Sequence, residues 1–157
     1  MLLFAASNDG QGSVAIQAGR DYANLMDGAT FYEALTMVRF GRFQDIIELQ
    51  EAPEGTVFRG LYDFGKCYAH LRMGDEGTAR WYMHLIETAL EEDPDDNFRG
   101  HSATQLLGVV GAILKGEILR ANGEVEEAIS LLRAGGEMED GLRYDEPEPL
   151  PFSIYTW

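Results

Sequence analysis

At 157 residues, with 45% of them apolar and 11% aromatic, the chain is long enough to bury one domain-sized core, which excludes wholesale disorder. Its 27 acidic against 12 basic residues leave a formal net charge of -15. Binding to phosphate backbones or anionic bilayers needs clustered Lys and Arg, and only Arg20 precedes Arg39, so neither nucleic acid nor membrane is an expected partner.

In chain order, apolar periodicity predicts helices near 10–26, 29–40, 42–50, 57–73, 75–92, 102–122 and 124–141. The N-terminal MLLFAASNDG has no basic segment and too short an apolar stretch for a signal peptide. No run reaches bilayer length, the longest being Leu106 to Leu114, so a cytoplasmic location is expected. The lone cysteine, Cys67, falls inside a helix and reads as a small buried thiol. In the helix of 75–92, Trp81, Leu85 and Ala89 form one apolar stripe, and Ala79, Met83, Ile86 and Leu90 form its neighbour. The stretch Asp93 to His101 carries Pro, Gly and several acids and reads as a loop. Ser102 with Gln105 is a capping box opening the next helix. Strand-type alternation is absent, so the expected fold class is all-α.

A repeat is legible in the glycines. Gly10, Gly41, Gly74 and Gly123 each follow an apolar helical segment and precede, five residues on, Ala15, Ile46, Ala79 and Ala128. Such a glycine ends one helix in the left-handed conformation, and a small residue beyond it lies where the second helix crosses the first, where a larger side chain would push the pair apart. Gly108, Ala112 and Gly116 recur every four residues, a smooth stripe for close helix approach. Units are expected over about 1–26, 27–56, 57–101 and 102–141, with 142–157 an extended C-terminal tail.

The stretches VRFGRFQDIIEL (Val38 to Leu49), GDEGTARWYMHL (Gly74 to Leu85) and LRANGEVEEAISLLRAG, followed by DGLRYDEPEPLP, resemble a largely bacterial, uncharacterised group of tetratricopeptide (TPR) repeat proteins. The match is strongest in the last unit, where Gly116, Gly123 and Ala128 take the family's glycine, turn and crossing places; Ile46 departs from the crossing alanine. The resemblance implies a right-handed α-solenoid of antiparallel helix pairs. It also implies a longer chain, because MLLFAASNDG starts in the middle of a repeat and the Pro-rich tail leads towards another.

TPR geometry would line the inner face with the first helix of each pair. That places Phe31, Leu35 and Arg39 there, then Phe64, Tyr68 and Arg72, then Ile113, Glu117 and Arg120. Arginines with aromatic neighbours suit a carboxylate-bearing or extended protein segment. Chaperone-tail clamps of TPR type use Lys and Asn where this chain has Phe31, Phe64 and Tyr68, so a clamp of that kind is not expected. The expected function is thus a protein-interaction module or scaffold, not an enzyme, with no cofactor and no metal. Its partner would be a protein or peptide, with self-association through open repeat ends as a further expectation.

The alternative is a piece of a larger helical enzyme, metal-dependent, with its catalytic residues mostly outside this segment or using His70 and His84. His70 and Cys67 lie three apart on one helix, a weak ligand pair. The acidic runs at 91–96 and 137–148 lack calcium-loop spacing and read as solvated. G-x-S-x-G and G-x-x-x-x-G-K motifs are absent.

Overall fold

The computed structural model describes residues 2–26, 28–143 and 150. Among them run eight helices: α1 (Leu2–Asn8), α2 (Gly12–Leu25), α3 (Phe31–Arg39), α4 (Phe43–Glu48), α5 (Thr56–Arg72), α6 (Glu76–Glu92), α7 (Ala103–Ala121) and α8 (Val125–Asp140). Two short strands, β1 (Asn97–Phe98) and β2 (His101–Ser102), interrupt the helical order between α6 and α7.

The helices are joined in pairs, α1 with α2 through α7 with α8, by four turns of one construction. Gly10, Gly41, Gly74 and Gly123 have φ of 74°, 66°, 82° and 85°. Each glycine N–H donates to the carbonyl three residues back: Ser7 at 3.3 Å, and Val38, Leu71 and Arg120 at 3.1 Å. The following N–H, of Gln11, Arg42, Asp75 or Glu124, reaches the carbonyl five back, that of Ala6, Met37, His70 or Leu119, at 2.8–2.9 Å. This is the Schellman arrangement, which satisfies carbonyls the helix end would leave without partners. A side chain at the left-handed position costs roughly 1–2 kcal/mol, so the turn selects glycine. The residues five places on, Ala15, Ile46, Ala79 and Ala128, are all buried.

Pairs pack on their neighbours along the chain. α3 contacts α5 and α5 contacts α7, while α2, α4 and α6 each touch the first helix of the next pair. The centre of this packing is α5, in which Gly60 and every residue from Leu61 to Ala69 is buried. Its glycines set the approach of its neighbours. A methyl group on Gly60 would lie 2.6 Å from Leu107 Cδ1, and one on Gly65 3.1 Å from Ala34 Cβ. In the last pair a methyl on Gly116 would lie 2.8 Å from Leu132 Cγ, whereas Gly111 faces open space.

Several expectations change in the structure. Asp93 to His101 is not a plain loop: it contains an antiparallel hairpin pairing Asn97 with Ser102 and Phe98 with His101. Arg99 and Gly100 form its two-residue turn, both with positive φ (56° and 81°), as a type I′ connection requires. The strand length of two residues is too short for any alternation to show in the sequence. Phe98 drops into the core, with its ring 5.8 Å from Phe31 and 5.0 Å from Phe58. Nor is the acidic run wholly solvated, because Asp96 joins three elements. Its Oδ2 accepts from Val57 N–H (2.8 Å) at the start of α5, where the N-cap residue is Gly55 and offers no side chain. Its carbonyl accepts from Ala103 N–H (2.7 Å) at the start of α7. In α6 only the stripe of Ala79 and Ile86 is fully buried; Trp81 stays 53% exposed, since α6 packs with one narrow face. The capping box of Ser102 and Gln105 is present. The acids at 144–148 and the Pro-rich tail lie outside the described residues, apart from Leu150, which is buried.

Asp96→Ala removes the side-chain cap of α5 from a different element. Urea unfolding should show a loss of about 1 kcal/mol, in the ordinary range for N-cap removal, while Asp95→Ala, at an exposed neighbour, should leave the midpoint unchanged.

Candidate functional site: an arginine-lined cleft at the helix ends

The first helices of the four pairs end side by side, and their C-terminal turns frame a cleft of about 720 Å³. α1 contributes Ser7 and Asn8, α3 contributes Arg39 with Phe40 just beyond its end, α5 contributes Tyr68 and Arg72, and α7 contributes Glu117 and Arg120. Phe43, at the start of α4, closes one side. The shared turn explains the convergence. Arg39 and Arg72 each stand two residues before the turn glycine, and Arg120 stands three before Gly123. Cations in the last turn also complement the partial negative charge of a helix C-terminus.

The three arginines are held differently. Arg39 Nε donates to the Ser7 carbonyl at 3.0 Å, tying the end of α3 to the end of α1. Arg72 Nη1 donates to the Tyr68 hydroxyl at 2.9 Å. Its guanidinium lies over the rings of Phe43 (5.4 Å) and Tyr68 (5.7 Å), a cation–π contact on each. Among the described residues neither Arg39 nor Arg72 pairs with a carboxylate. Arg120 differs: Nε and Nη2 grip the two oxygens of Glu117 at 3.0 and 2.8 Å, a two-point fork that raises the arginine above its ordinary pKa. Glu117 is 8% exposed, so the fork is also what compensates a nearly buried carboxylate. Burial raises the Tyr68 hydroxyl above its ordinary value, against the hydrogen bond from Arg72. Ser7 is 1% exposed, and its Oγ has no hydrogen-bond partner among the described residues.

Of the residues assigned to an inner face, Arg39, Tyr68, Arg72, Glu117 and Arg120 therefore meet at one cleft. Phe31, Leu35, Phe64 and Ile113 do not: each is 0% exposed and belongs to the core. α3 and α5 are enclosed on all sides, so the mid-helix positions that an open superhelix would display are packed here. Sequence reasoning missed Ser7, Asn8, Phe40 and Phe43. Phe40 and Phe43 bracket Gly41, and an aromatic on either side of a turn glycine was the available signal.

A second polar group lies deep in α5. Asp63 is 2% exposed; Oδ2 accepts from Arg59 Nε at 2.8 Å, and Oδ1 has no partner among the described residues. Lys66, 4% exposed, donates to the Ile47 carbonyl at 3.0 Å and also to that of Leu49, closing the end of α4. Burial pushes the Asp63 carboxyl up and the Lys66 ammonium down. The histidines are dispersed. His70 Nδ1 meets Asp75 at 3.1 Å and its ring stacks on Tyr82, His84 is exposed on α6, and His101 is buried in the hairpin. Cys67 donates to the Ala79 carbonyl at 3.1 Å, and burial pushes its thiol up to about 12, an inert thiol and not a ligand poised beside His70. Among the described residues no group of three His, Cys, Asp or Glu is placed to hold a metal, and no helix is long and apolar enough to cross a membrane.

Comparison with protein-family models, with curated proteins and with solved structures gave no match to this chain.

The raised carboxyl of Asp63 has a consequence for stability. A carboxyl whose folded pKa exceeds its unfolded value contributes most below the unfolded pKa, and that contribution is lost as pH rises through the folded one. The stability of wild type relative to Asp63→Asn should thus improve as pH falls from neutral into the ordinary carboxylate range. Chemical unfolding at both pH values checks this; a pH-independent difference would refute the assignment.

Proposed function

We propose that this chain is a TPR-like solenoid segment that acts as a protein-interaction module, and that the arginine cleft captures an acidic protein segment. The observation that carries the reading is the pairing of Arg39 and Arg72. In a molecule with 27 acidic residues, two cleft arginines are held, among the described residues, by a backbone carbonyl and a tyrosine hydroxyl instead of by carboxylates. Their remaining N–H donors are then left for an incoming anion. Phe40 and Phe43 add apolar area beside the charges, which suits a peptide chain better than a free ion.

The solenoid part of the proposal rests on the recurrence of one turn at four glycines and on packing that links each pair to its neighbours. Such repeats characteristically bind partners along a surface built from equivalent positions. Here the equivalent positions are the last turns of the first helices. The cost of leaving these arginines without acidic partners among the described residues is offset when a ligand supplies the carboxylates.

Neutralising the cleft tests this. Arg39→Gln, Arg72→Gln and Arg120→Gln combined should lower capture of a partner from source lysate by at least about tenfold, as loss of central interface arginines does. Arg80→Gln, which breaks only an exposed ion pair with Glu76 on α6, should capture as wild type does. Equal capture by the triple variant, with unchanged helicity by circular dichroism, would overturn the cleft assignment.

A further inference from the structure

We infer that the cleft selects a doubly charged oxyanion on a peptide, and that Glu117 is its built-in competitor, holding Arg120 from the wall and weakening the anion's hold on it. The inference rests on the cleft being the binding site.

Charge accounting carries it. Among the described residues framing the cleft, the side chains bring three guanidinium charges (Arg39, Arg72, Arg120) and one carboxylate (Glu117), a formal side-chain excess of two positive charges. A dianion neutralises that excess; a monoanion leaves half of it. Geometry assigns the parts. Arg39 uses Nε on the Ser7 carbonyl, and Arg72 uses Nη1 on the Tyr68 hydroxyl. Each therefore keeps donors free while its orientation is already set, so little side-chain entropy remains to be lost on binding. The flat face of Arg72 is covered by Phe43 and Tyr68, which leaves in-plane N–H groups as its means of recognition, the geometry that suits carboxylate and phosphate oxygens.

Arg120 is the exception, because its fork is filled by Glu117. The arginine side chain is 55% exposed while that of Glu117 is 10% exposed. The carboxylate thus sits in the wall and the guanidinium in the opening. An arriving oxyanion can share the exposed side of Arg120, and it meets repulsion from Glu117 as it does so. Ser7 adds a neutral donor at the α1 side, buried and without a partner among the described residues. Two sources supply a dianion on a peptide, a pair of adjacent carboxylates or a phosphorylated side chain, and the probes below separate them.

The full chain, labelled for observation of its arginine Nε–Hε signals, would be titrated at low ionic strength with three probes: acetyl-Glu-Glu-amide, acetyl-phosphoserine-amide and acetyl-Glu-amide. At least one dianion should shift the signals of Arg39 and Arg72 and bind about tenfold tighter than the monoanion. Glu117→Gln raises the cleft charge by one and should tighten dianion binding roughly threefold to tenfold; Arg120→Gln lowers it by one and should weaken binding by a similar factor. The opposite signs are diagnostic, since a purely structural Glu117–Arg120 pair would make both variants weaker. Equal binding of monoanion and dianion, or weakening by both variants, would overturn the inference. If arginine-dependent partner capture persists without this charge ladder, the competitor role falls and the interaction-module reading stands. If the ladder appears without partner capture, the anion site stands and the module reading falls.

Discussion

Nearly three turns of α5, Gly60 to Ala69, are buried on every side, and the rest of the molecule is arranged to make that tolerable. A helix enclosed in this way needs neighbours at short range and partners for every polar atom it takes inside. Gly60 and Gly65 provide the first by removing the side chains that would hold off Leu107 and Ala34. Arg59 and the carbonyls at the end of α4 provide most of the second, through Asp63 and Lys66. Burying two charges in one helix is unfavourable unless both are hydrogen-bonded, and the short α4 is held where it can accept from Lys66. The central helix thus fixes the position of α4, and with it Phe43 at the edge of the cleft.

The four glycine turns add a second constraint, which operates along the chain. Each ends a first helix in the same way and sends its successor back across it. Repetition of the turn brings equivalent helix ends to one side of the molecule, so residues separated by about one repeat in sequence become neighbours in space. Arg39 and Arg72 are related in this way, with Arg120 displaced by one residue. Three cations gathered at helix C-termini are favourable electrostatically even without a ligand. That accounts for their presence at the ends of helices, but not for the lack, among the described residues, of acidic partners at two of them.

The turns and the hairpin illustrate how far local signals reach. Each turn was legible because glycine at a left-handed position and a small or apolar residue five places on are local requirements, met within a dozen residues. The Ser102 capping box was legible for the same reason. The hairpin at 97–102 was not: its strands are too short to alternate, and Arg99 occupies a left-handed position where Asn or Gly is usual. Asp96 looked like one more solvated acid, because the N–H it caps belongs to Val57, 39 residues earlier.

The candidate site divides along the same line. From the sequence by itself came the all-α class, the last three helix pairs (α1 was not among the expected helices), and the placing of Arg39, Arg72 and Arg120 near the ends of first helices, since these follow from spacing relative to glycine. Only the tertiary structure decided which of the proposed lining residues face solvent. Phe31, Leu35, Phe64 and Ile113 share helix faces that would be open in an isolated pair but are covered by α5, its neighbours and the Phe98 hairpin. Periodicity reports that a face is apolar; it carries no information about whether another element covers it. The same holds for charge. The sequence counts 27 acids, but among the described residues Glu117 is the acid that lines the cleft, because pairing depends on distances of a few ångströms between helix ends.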